Sequence, residues 1–403
     1  MTPDTLPGKR IILGVTGGIA AYKSALLVRE LVKRGAEVRV VMTPSALEFI
    51  TPLTLSTLSG NEVIVNTFPA DQKNGVELKT WHIDYGMWAD LMIIAPATVN
   101  TIAKITHGFA DNALTTLVAA LRKKLLLAPA ADMDMYETEA NLSNLKTLEQ
   151  RGAYIVDAEE GFLASGLIGR GRMADIDKIV DSAELCLLES GKDLEGKKVL
   201  VTAGPTFEDI DPVRFIGNRS SGKMGFAIAK AAFLRGADVT LVSGPVSETA
   251  YPEIKLIKVR SAEQMLEAVA KNYPENDILV MSAAVADYAP ETFSNKKIKK
   301  KDNLQNIRLK ENSDILRSLQ KIDGKFIAGF ALETNNAEDN ARKKLESKGI
   351  DMIILNSLED AGAGFEHDSN KISIISKNHF KQFPLLSKFV TANNILTEIK
   401  NNL

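Results

Sequence analysis

The sequence has few of the features that mark a secreted, membrane-bound or nucleic-acid-binding protein. Its 403 residues include one cysteine, Cys186. A single thiol excludes an intramolecular disulfide framework and fits a reducing cytosol. No apolar run approaches the roughly 18 residues that a membrane-spanning helix requires. The leading segment MTPDTLPGKR is followed only by the short apolar stretch Ile11-Ile12-Leu13, too brief for a secretory signal. The 49 basic and 51 acidic residues leave a net charge of −2, so no overall basic field points to nucleic acid. The expectation is a cytoplasmic protein with no membrane and no nucleic-acid partner.

Two nucleotide signatures are also incomplete. The string Gly217-x4-Gly222-Lys223 approaches a P-loop, but Met224 stands where a Ser or Thr hydroxyl would hold magnesium. No G-x-G-x-x-G occurs. The strand candidates that would carry a ribose-binding acid end instead at Val41-Met42-Thr43 and Val242-Ser243. An NAD(P)-dependent reductase is therefore disfavoured.

What is present is a repeated block. Residues 10–43 read strand, glycine turn, helix, Arg34-Gly35-Ala36, strand. Residues 199–245 repeat that order, with a helix from about Met224 to Arg235 and with Arg235-Gly236-Ala237 at the corresponding place. Each block is a βαβ unit, which implies a parallel sheet with right-handed crossovers. Further strand candidates are Leu91–Ala95, Leu125–Leu127 and Tyr154–Val156 in the first half. The second half offers Lys255–Lys258, Ile278–Met281, Phe326–Phe330, Met352–Leu355 and Ile372–Ile375. The charged, glycine-bearing stretch Glu189–Lys197 is the expected boundary. The predicted fold is α/β: two Rossmann-like three-layer domains with mainly parallel sheets, over 1–190 and 191–403.

Each half has a candidate site. In the first, Gly17-Gly18-Ile19-Ala20 opens a helix whose free N–H groups can hold one phosphate. Thr43 ends the second strand. Thr98, Asn100 and Lys104 follow a buried strand, at the end where open α/β sheets bind ligands. These features fit a mononucleotide better than NAD. His82 lies among apolar residues, where a lone histidine is more often a satisfied structural group than a catalyst, and composition alone does not separate the two. In the second half, Asn218, Arg219, Ser220, Ser221 and Lys223 crowd a polar insert before a helix N-terminus, where an anion would sit. The basic segment Phe293–Asn306 reads by default as a solvated loop.

The strings GVTGGIAAYK, APATVNTIAK and GRGRMAD resemble the flavin-dependent cysteine decarboxylase family. Together with TAGPTFEDIDPVRFIGNRSSGKMGFAIA, AAVADY, KIKK and GFALETNN, they resemble the bifunctional phosphopantothenoylcysteine synthetase/decarboxylase family of coenzyme A biosynthesis, over nearly the whole chain. The resemblance implies an FMN domain assembled as trimers. There the substrate thiol is oxidised to a thioaldehyde and its carboxylate leaves, with His82 at the family's catalytic histidine. Two positions depart from the family. Its P-A-M-N appears here as Pro129-Ala130-Ala131-Asp132, and its A-C-G as Ala164-Ser165-Gly166. An ionised Asp132 would repel a substrate carboxylate that an asparagine amide would bind. The Ser165 hydroxyl is a far weaker acid than a thiol of pKa near 8.5. The expectation is a retained decarboxylase with altered acid–base groups.

For the second half the resemblance implies a dimeric ligase that joins 4′-phosphopantothenate to L-cysteine. CTP activates the carboxylate as an acyl-cytidylate, and the cysteine amine displaces CMP. Lys297, Lys299 and Lys300 of KIKK, with Lys344 and Lys348, match the family's triphosphate-neutralising positions. Asp287, beside Ser282 and Ala283, matches its Mg2+-binding acid. Asn218 matches the neutral amide that serves the acyl-cytidylate. Phe330 and Asn312-Ser313-Asp314-Ile315, the family's N-P-D-I, match the base cradle. The trimeric and dimeric contacts together imply a large homo-oligomer. The competing readings are a ligase whose flavin domain serves only assembly, and a regulatory subunit that binds other proteins.

Overall fold

The computed structural model describes residues 6–68, 80–188, 192–299, 306–333, 337–357, 368–377 and 379–403. Contacts divide the chain into two compact units, Asp4–Glu189 and Ser190–Leu403.

The first unit is built on six parallel strands: β1 (Arg10–Val15), β2 (Glu37–Met42), β3 (Val63–Ile64), β4 (Leu91–Ala97), β5 (Lys124–Pro129) and β6 (Tyr154–Ile155). Their order is β3-β2-β1-β4-β5-β6. Alternation along β1 explains the layering. Ile11, Leu13 and Val15 face one core with Leu27, Leu31 and Ile179, whereas Ile12 faces another with Met92, Ile94 and Leu117. Both faces of the sheet are thus covered by helices, and each fully buried Leu, Ile or Val contributes about 1.5–3 kcal/mol. An antiparallel hairpin, β7 (Glu159–Phe162) and β8 (Ile168–Arg172), stands apart from the sheet.

The second unit contains β9 (Lys198–Ala203), β10 (Phe207–Asp209), β11 (Phe215–Gly217), β12 (Asp238–Ser243), β13 (Lys255–Lys258), β14 (Ile278–Met281), β15 (Tyr288–Pro290), β16 (Leu309–Glu311), β17 (Phe326–Glu333), β18 (Met352–Ser357), β19 (Ser369–Asn370), β20 (Ile372–Ser376) and β21 (His379–Gln382). Eight of these form one sheet, ordered β13-β12-β9-β14-β17-β18-β20-β21. It is parallel from β13 to β18, while β20 and β21 add antiparallel. The helices Lys223–Leu234 and Lys388–Asn401 pack in one apolar core, and Ala262–Asn272 and Ala337–Lys348 flank another.

The repeated Arg-Gly-Ala ends the first crossover helix of each unit in the same way. Arg34 and Arg235 are C-caps, and Gly35 and Gly236 both take φ of 89°, a conformation that costs a residue with a Cβ far more than glycine. Arg235 is fully buried. It is held by two bonds of 2.8 Å to Asp193 and one of 2.9 Å to the Asn393 carbonyl. Strand order reverses at β1/β4 in the first unit and at β9/β14 in the second. These reversal points are where open parallel sheets form crevices at their carboxyl ends. In the predicted boundary Glu189–Lys197, residues 189–191 lie outside the described residues, and Leu194 packs into the core of the second unit.

Candidate functional site

In the first unit a cavity of about 900 Å³ opens at the β1/β4 reversal. Gly17, Gly18, Ile19 and Ala20 line it after β1, Thr43 after β2, Thr98 and Asn100 after β4, and Asp132 after β5. The glycine turn approaches its neighbour closely: a Cβ on Gly17 would stand 2.7 Å from the Ser45 backbone. Thr16 ties the ends of β1 and β4 together, since its hydroxyl donates to the Pro96 carbonyl (2.7 Å) and accepts from the Thr98 N–H (3.1 Å). The Thr43 hydroxyl is buried in the wall with no partner among the described residues. A buried hydroxyl left in that state is costly unless a ligand satisfies it, so a bare turn and an orphan hydroxyl both fit a phosphorylated ligand.

Of the two departures from the family pattern, Asp132 is in the lining of this cavity and Ser165 is not. Asp132 lines it as the N-cap of the helix Met133–Tyr136, without a side-chain capping bond. Ser165 is exposed in the turn between β7 and β8. Its neighbours Leu163 and Ala164 line the cavity, while its own hydroxyl accepts from the Leu167 N–H at 3.4 Å. Cys186 does not replace the missing thiol. It is fully buried in the helix Ile176–Leu187, and burial pushes its pKa far up. His82 lies on the helix Trp81–Trp88 with its ring edge-on to Trp81 at 5.8 Å, outside this cavity's lining.

Sequence reasoning missed Lys23 and Arg172, which also line the cavity. The Lys23 ammonium donates to the Met173 carbonyl at 3.2 Å, and burial, aided by Arg172, lowers its pKa. Lys104, singled out in the sequence, is held by Asp111, whose pKa it lowers by hydrogen bonding.

The second cavity, of about 630 Å³, opens at the β9/β14 reversal and extends toward β18. Asn218, Ser282, Ala283, Asp287 and Phe330 all line it. The Asn218 amide donates to the carbonyls of Ala284 (3.3 Å) and Val285 (3.0 Å), so the insert is fastened to the loop after β14. Donation to a substrate requires Asn218 to exchange one of these bonds. Asp287 is exposed and caps no helix; its carbonyl accepts from the Asn312 N–H at 2.8 Å. Among the described residues Asp287 is the only acid in the lining, and no cluster of three metal-binding side chains occurs. That suits Mg2+, which keeps several waters and is commonly held by one or two carboxylates plus substrate phosphates. Phe330 packs against the core and lines the cavity, so it serves in both settings.

The remaining expected residues lie outside the lining. Asn312 donates its side-chain amide to the Ala286 carbonyl at 2.8 Å. Ser313 is exposed, and Asp314 caps the helix Ile315–Ser318 through the Arg317 N–H, with Ile315 buried. Lys348 lies 3.5 Å from Asp314, which joins the Asn312–Ile315 segment to the helix that also carries Lys344. Lys297 is exposed on a loop fixed at its neighbour: the Ile298 N–H donates to Asp211 (3.2 Å) and the Ile298 carbonyl accepts from Arg214 (2.9 Å). Lys300 lies outside the described residues. Sequence reasoning also missed Asn356, Asn370 and Lys388, all in the lining.

Known proteins support a two-part reading. Residues 1–185 match the flavoprotein family model, and residues 194–403 match the model of the DNA/pantothenate metabolism flavoprotein C-terminal domain. The coenzyme A biosynthesis bifunctional protein CoaBC of Bacillus subtilis (strain 168) is 43% identical over 398 residues, covering 98% of this chain and 97% of its own. A cysteine/cysteine sulfinic acid decarboxylase from an unknown prokaryotic organism is 46% identical over 359 residues, covering 87% of this chain and 98% of its own. The crystal structure of the C-terminal domain of a coenzyme A biosynthesis bifunctional protein CoaBC shares 39% identity at a TM-score of 0.46, over 53% of this chain and 98% of that one. The chain belongs to the family of coenzyme A biosynthesis bifunctional proteins.

Proposed function

We infer that this chain is a two-step enzyme of coenzyme A biosynthesis: a CTP-dependent ligase of 4′-phosphopantothenate and L-cysteine, and an FMN-dependent decarboxylase of the product. The observation that carries this reading is the pair of cavities, one at the strand-order reversal of each unit, in a chain that matches bifunctional relatives over 98% of its length. The catalytic halves are residues 1–190 and 191–403.

In the first half, the Gly17–Ala20 turn holds the FMN phosphate on backbone N–H groups, with Thr43, Thr98 and Asn100 as further polar partners. FMN, when bound, supplies the oxidation of the substrate thiol that lets the carboxylate leave. Asp132 and Ser165 stand where the family has an amide and a thiol, and His82, outside the lining of this cavity, matches the family's histidine. A carboxylate at Asp132 disfavours a carboxylate-bearing substrate, and the half-buried Lys23 ammonium in the lining supplies compensating positive charge, Arg172 being paired with Glu159 and Asp175.

In the second half, the pantothenate carboxylate attacks the α-phosphorus of CTP, and the bond to pyrophosphate breaks. The cysteine amine then attacks the acyl carbon, CMP leaves, and the amine proton passes to solvent. Lys297, Lys299, Lys344 and Lys348 neutralise the triphosphate. Asp287, with Ser282 and Ala283, holds Mg2+ and phosphate oxygens. Asn218 binds the acyl oxygen, and Phe330 with Asn312–Ile315 receives the base.

The test is one reaction of the full chain with CTP, Mg2+, L-cysteine and 4′-phosphopantothenate, followed by mass. The expected result is the ligated product, then its decarboxylated form. Ligated product alone, with FMN bound, would make the first half an assembly domain. Carbon dioxide from free L-cysteine, and none from the ligated product, would align that half with the cysteine decarboxylase relative.

A further inference from the structure

We propose that the amino ends of β1, β4, β5 and β6 form a further ligand site in the first unit, one that takes a small polyphosphate anion. This site goes beyond the two activities above and shares no lining residue with either cavity described so far.

A hollow of about 580 Å³ opens at these strand ends. Lys9 stands just before β1, Asp90 just before β4, Lys124 opens β5, and Gly152 and Ala153 precede β6. The first cavity lies past the carboxyl ends of the same strands. The six residues of β1 therefore put roughly 20 Å between the two. The volume is that of an ordinary small-molecule pocket.

Charge is what sets this hollow apart. Five of its lining residues are cationic: Lys9, Arg122, Lys123, Lys124 and Arg151. Asp90 is the one acid in the lining among the described residues, and Arg10 already engages it. The Arg10 backbone N–H donates at 2.9 Å and its guanidinium at 3.0 and 3.3 Å. Two of the five cations are positioned by neutral acceptors, which leave their charge uncancelled. Lys124 donates to the Cys186 carbonyl at 2.8 Å, at the end of the helix Ile176–Leu187, and lies 5.6 Å from the Tyr154 ring. Arg151, the C-cap of the helix Glu139–Gln150, donates to the Thr106 carbonyl at 2.6 Å. The exposed side chains of Arg122 and Lys123 make no hydrogen bond or ion pair among the described residues, and no carboxylate there pairs with any of the five. A solvated surface normally intersperses both signs. Like charges gathered around one hollow repel each other until an anion joins them.

The same residues define the class of anion. One phosphate cannot meet five cations, whereas linked phosphates carry three or more charges on adjacent oxygens. Arg122 and Arg151 bring planar forks of donors that match phosphate oxygens in pairs. Leu125, Leu148 and Leu187 leave an apolar wall beside them, which suits the body of a nucleotide. The site is a local hollow on a chain of net charge −2, so it fits a small anion and not a nucleic-acid backbone, which demands an extended basic surface.

The test is acetylation of lysine amines in the full chain, followed by mass spectrometry of its peptides, in Mg2+-free buffer at low salt. The probes are inorganic tripolyphosphate, ATP and AMP. Tripolyphosphate and ATP are expected to protect Lys9 and Lys123 saturably, at concentrations where AMP does not. Lys33, whose side chain is 76% exposed, should label at an unchanged rate. Stronger protection by ATP identifies a nucleotide as the source, and equal protection identifies a bare phosphate chain. Arg122→Gln combined with Lys123→Gln should weaken binding, read at Lys9, by about tenfold or more, as loss of charged hydrogen bonds does. Tm should not move, since neither side chain has a partner to lose. High salt should release the anion. Lys297→Gln, in the second unit, should leave protection of Lys9 intact. Absence of protection by either polyphosphate overturns the proposal. So does equal protection by AMP, or protection that Lys297→Gln abolishes.

Discussion

Asn218 and Gly17 carry most of the argument at the scale of single residues. Asn218 is held on the Ala284 and Val285 carbonyls at the mouth of the ligase cavity. If it serves the acyl oxygen, Asn218→Ala should slow amide formation by about 10²–10³, the usual loss for one such donor. Pyrophosphate release in a first turnover should persist, and quenched-flow assay of both products separates the steps. Gly17 tests the flavin turn. A methyl group there meets the Ser45 backbone at 2.7 Å, so Gly17→Ala should displace the turn and reduce FMN retention, read as loss of flavin absorbance after gel filtration. These two residues were legible in the sequence because they sit in contiguous motifs. Lys388 was not legible. It lies 165 positions from Lys223, and only the packing of the last helix beside the Lys223–Leu234 helix brings the two together.

At the scale of elements, the loop carrying Lys297 matters most. It reads from the sequence as a solvated basic stretch, and Lys297 is exposed. The fold nevertheless anchors its backbone. Asp211, almost fully buried, accepts the Ile298 N–H and pairs with Arg214, which holds the Ile298 carbonyl. The hydrogen bond from Arg214 keeps the Asp211 carboxyl well below the usual carboxylate range. A depressed pKa stabilises the fold above about pH 4, the unfolded value, and that contribution is lost only as pH falls toward the folded one. The anchor therefore stays charged throughout the assay range. Asp211→Asn should raise KM for CTP more than KM for cysteine, while Lys297→Gln should suppress pyrophosphate release from the anchored loop. Steady-state kinetics on both variants checks the pair. The anchor escaped sequence reading because charge and hydrogen bonding join residues 87 positions apart.

At the scale of the whole molecule, the repeated strand–turn–helix–Arg-Gly-Ala pattern made two parallel-sheet units legible. The strands Lys255–Lys258 and Ile278–Met281 fall where their apolar pattern put them. The antiparallel direction of β20 and β21 was not legible, because an apolar strand pattern carries no information about direction. The buried Arg235 shows what the repeat contributes to stability. Arg235→Met would leave Asp193 without its bidentate partner in a half-buried setting. A loss of about 3–5 kcal/mol is expected for breaking a buried pair on one side, less for the exposed share of Asp193, and chemical denaturation measures it.

The central claim is that the second unit activates a carboxylate with a nucleoside triphosphate. The most direct measurement is pyrophosphate release by the purified full chain given CTP, Mg2+ and 4′-phosphopantothenate, with cysteine omitted. The account predicts a burst of about one pyrophosphate per active site, followed by steady turnover when cysteine is added. No pyrophosphate above a control lacking the pantothenate ester would contradict it.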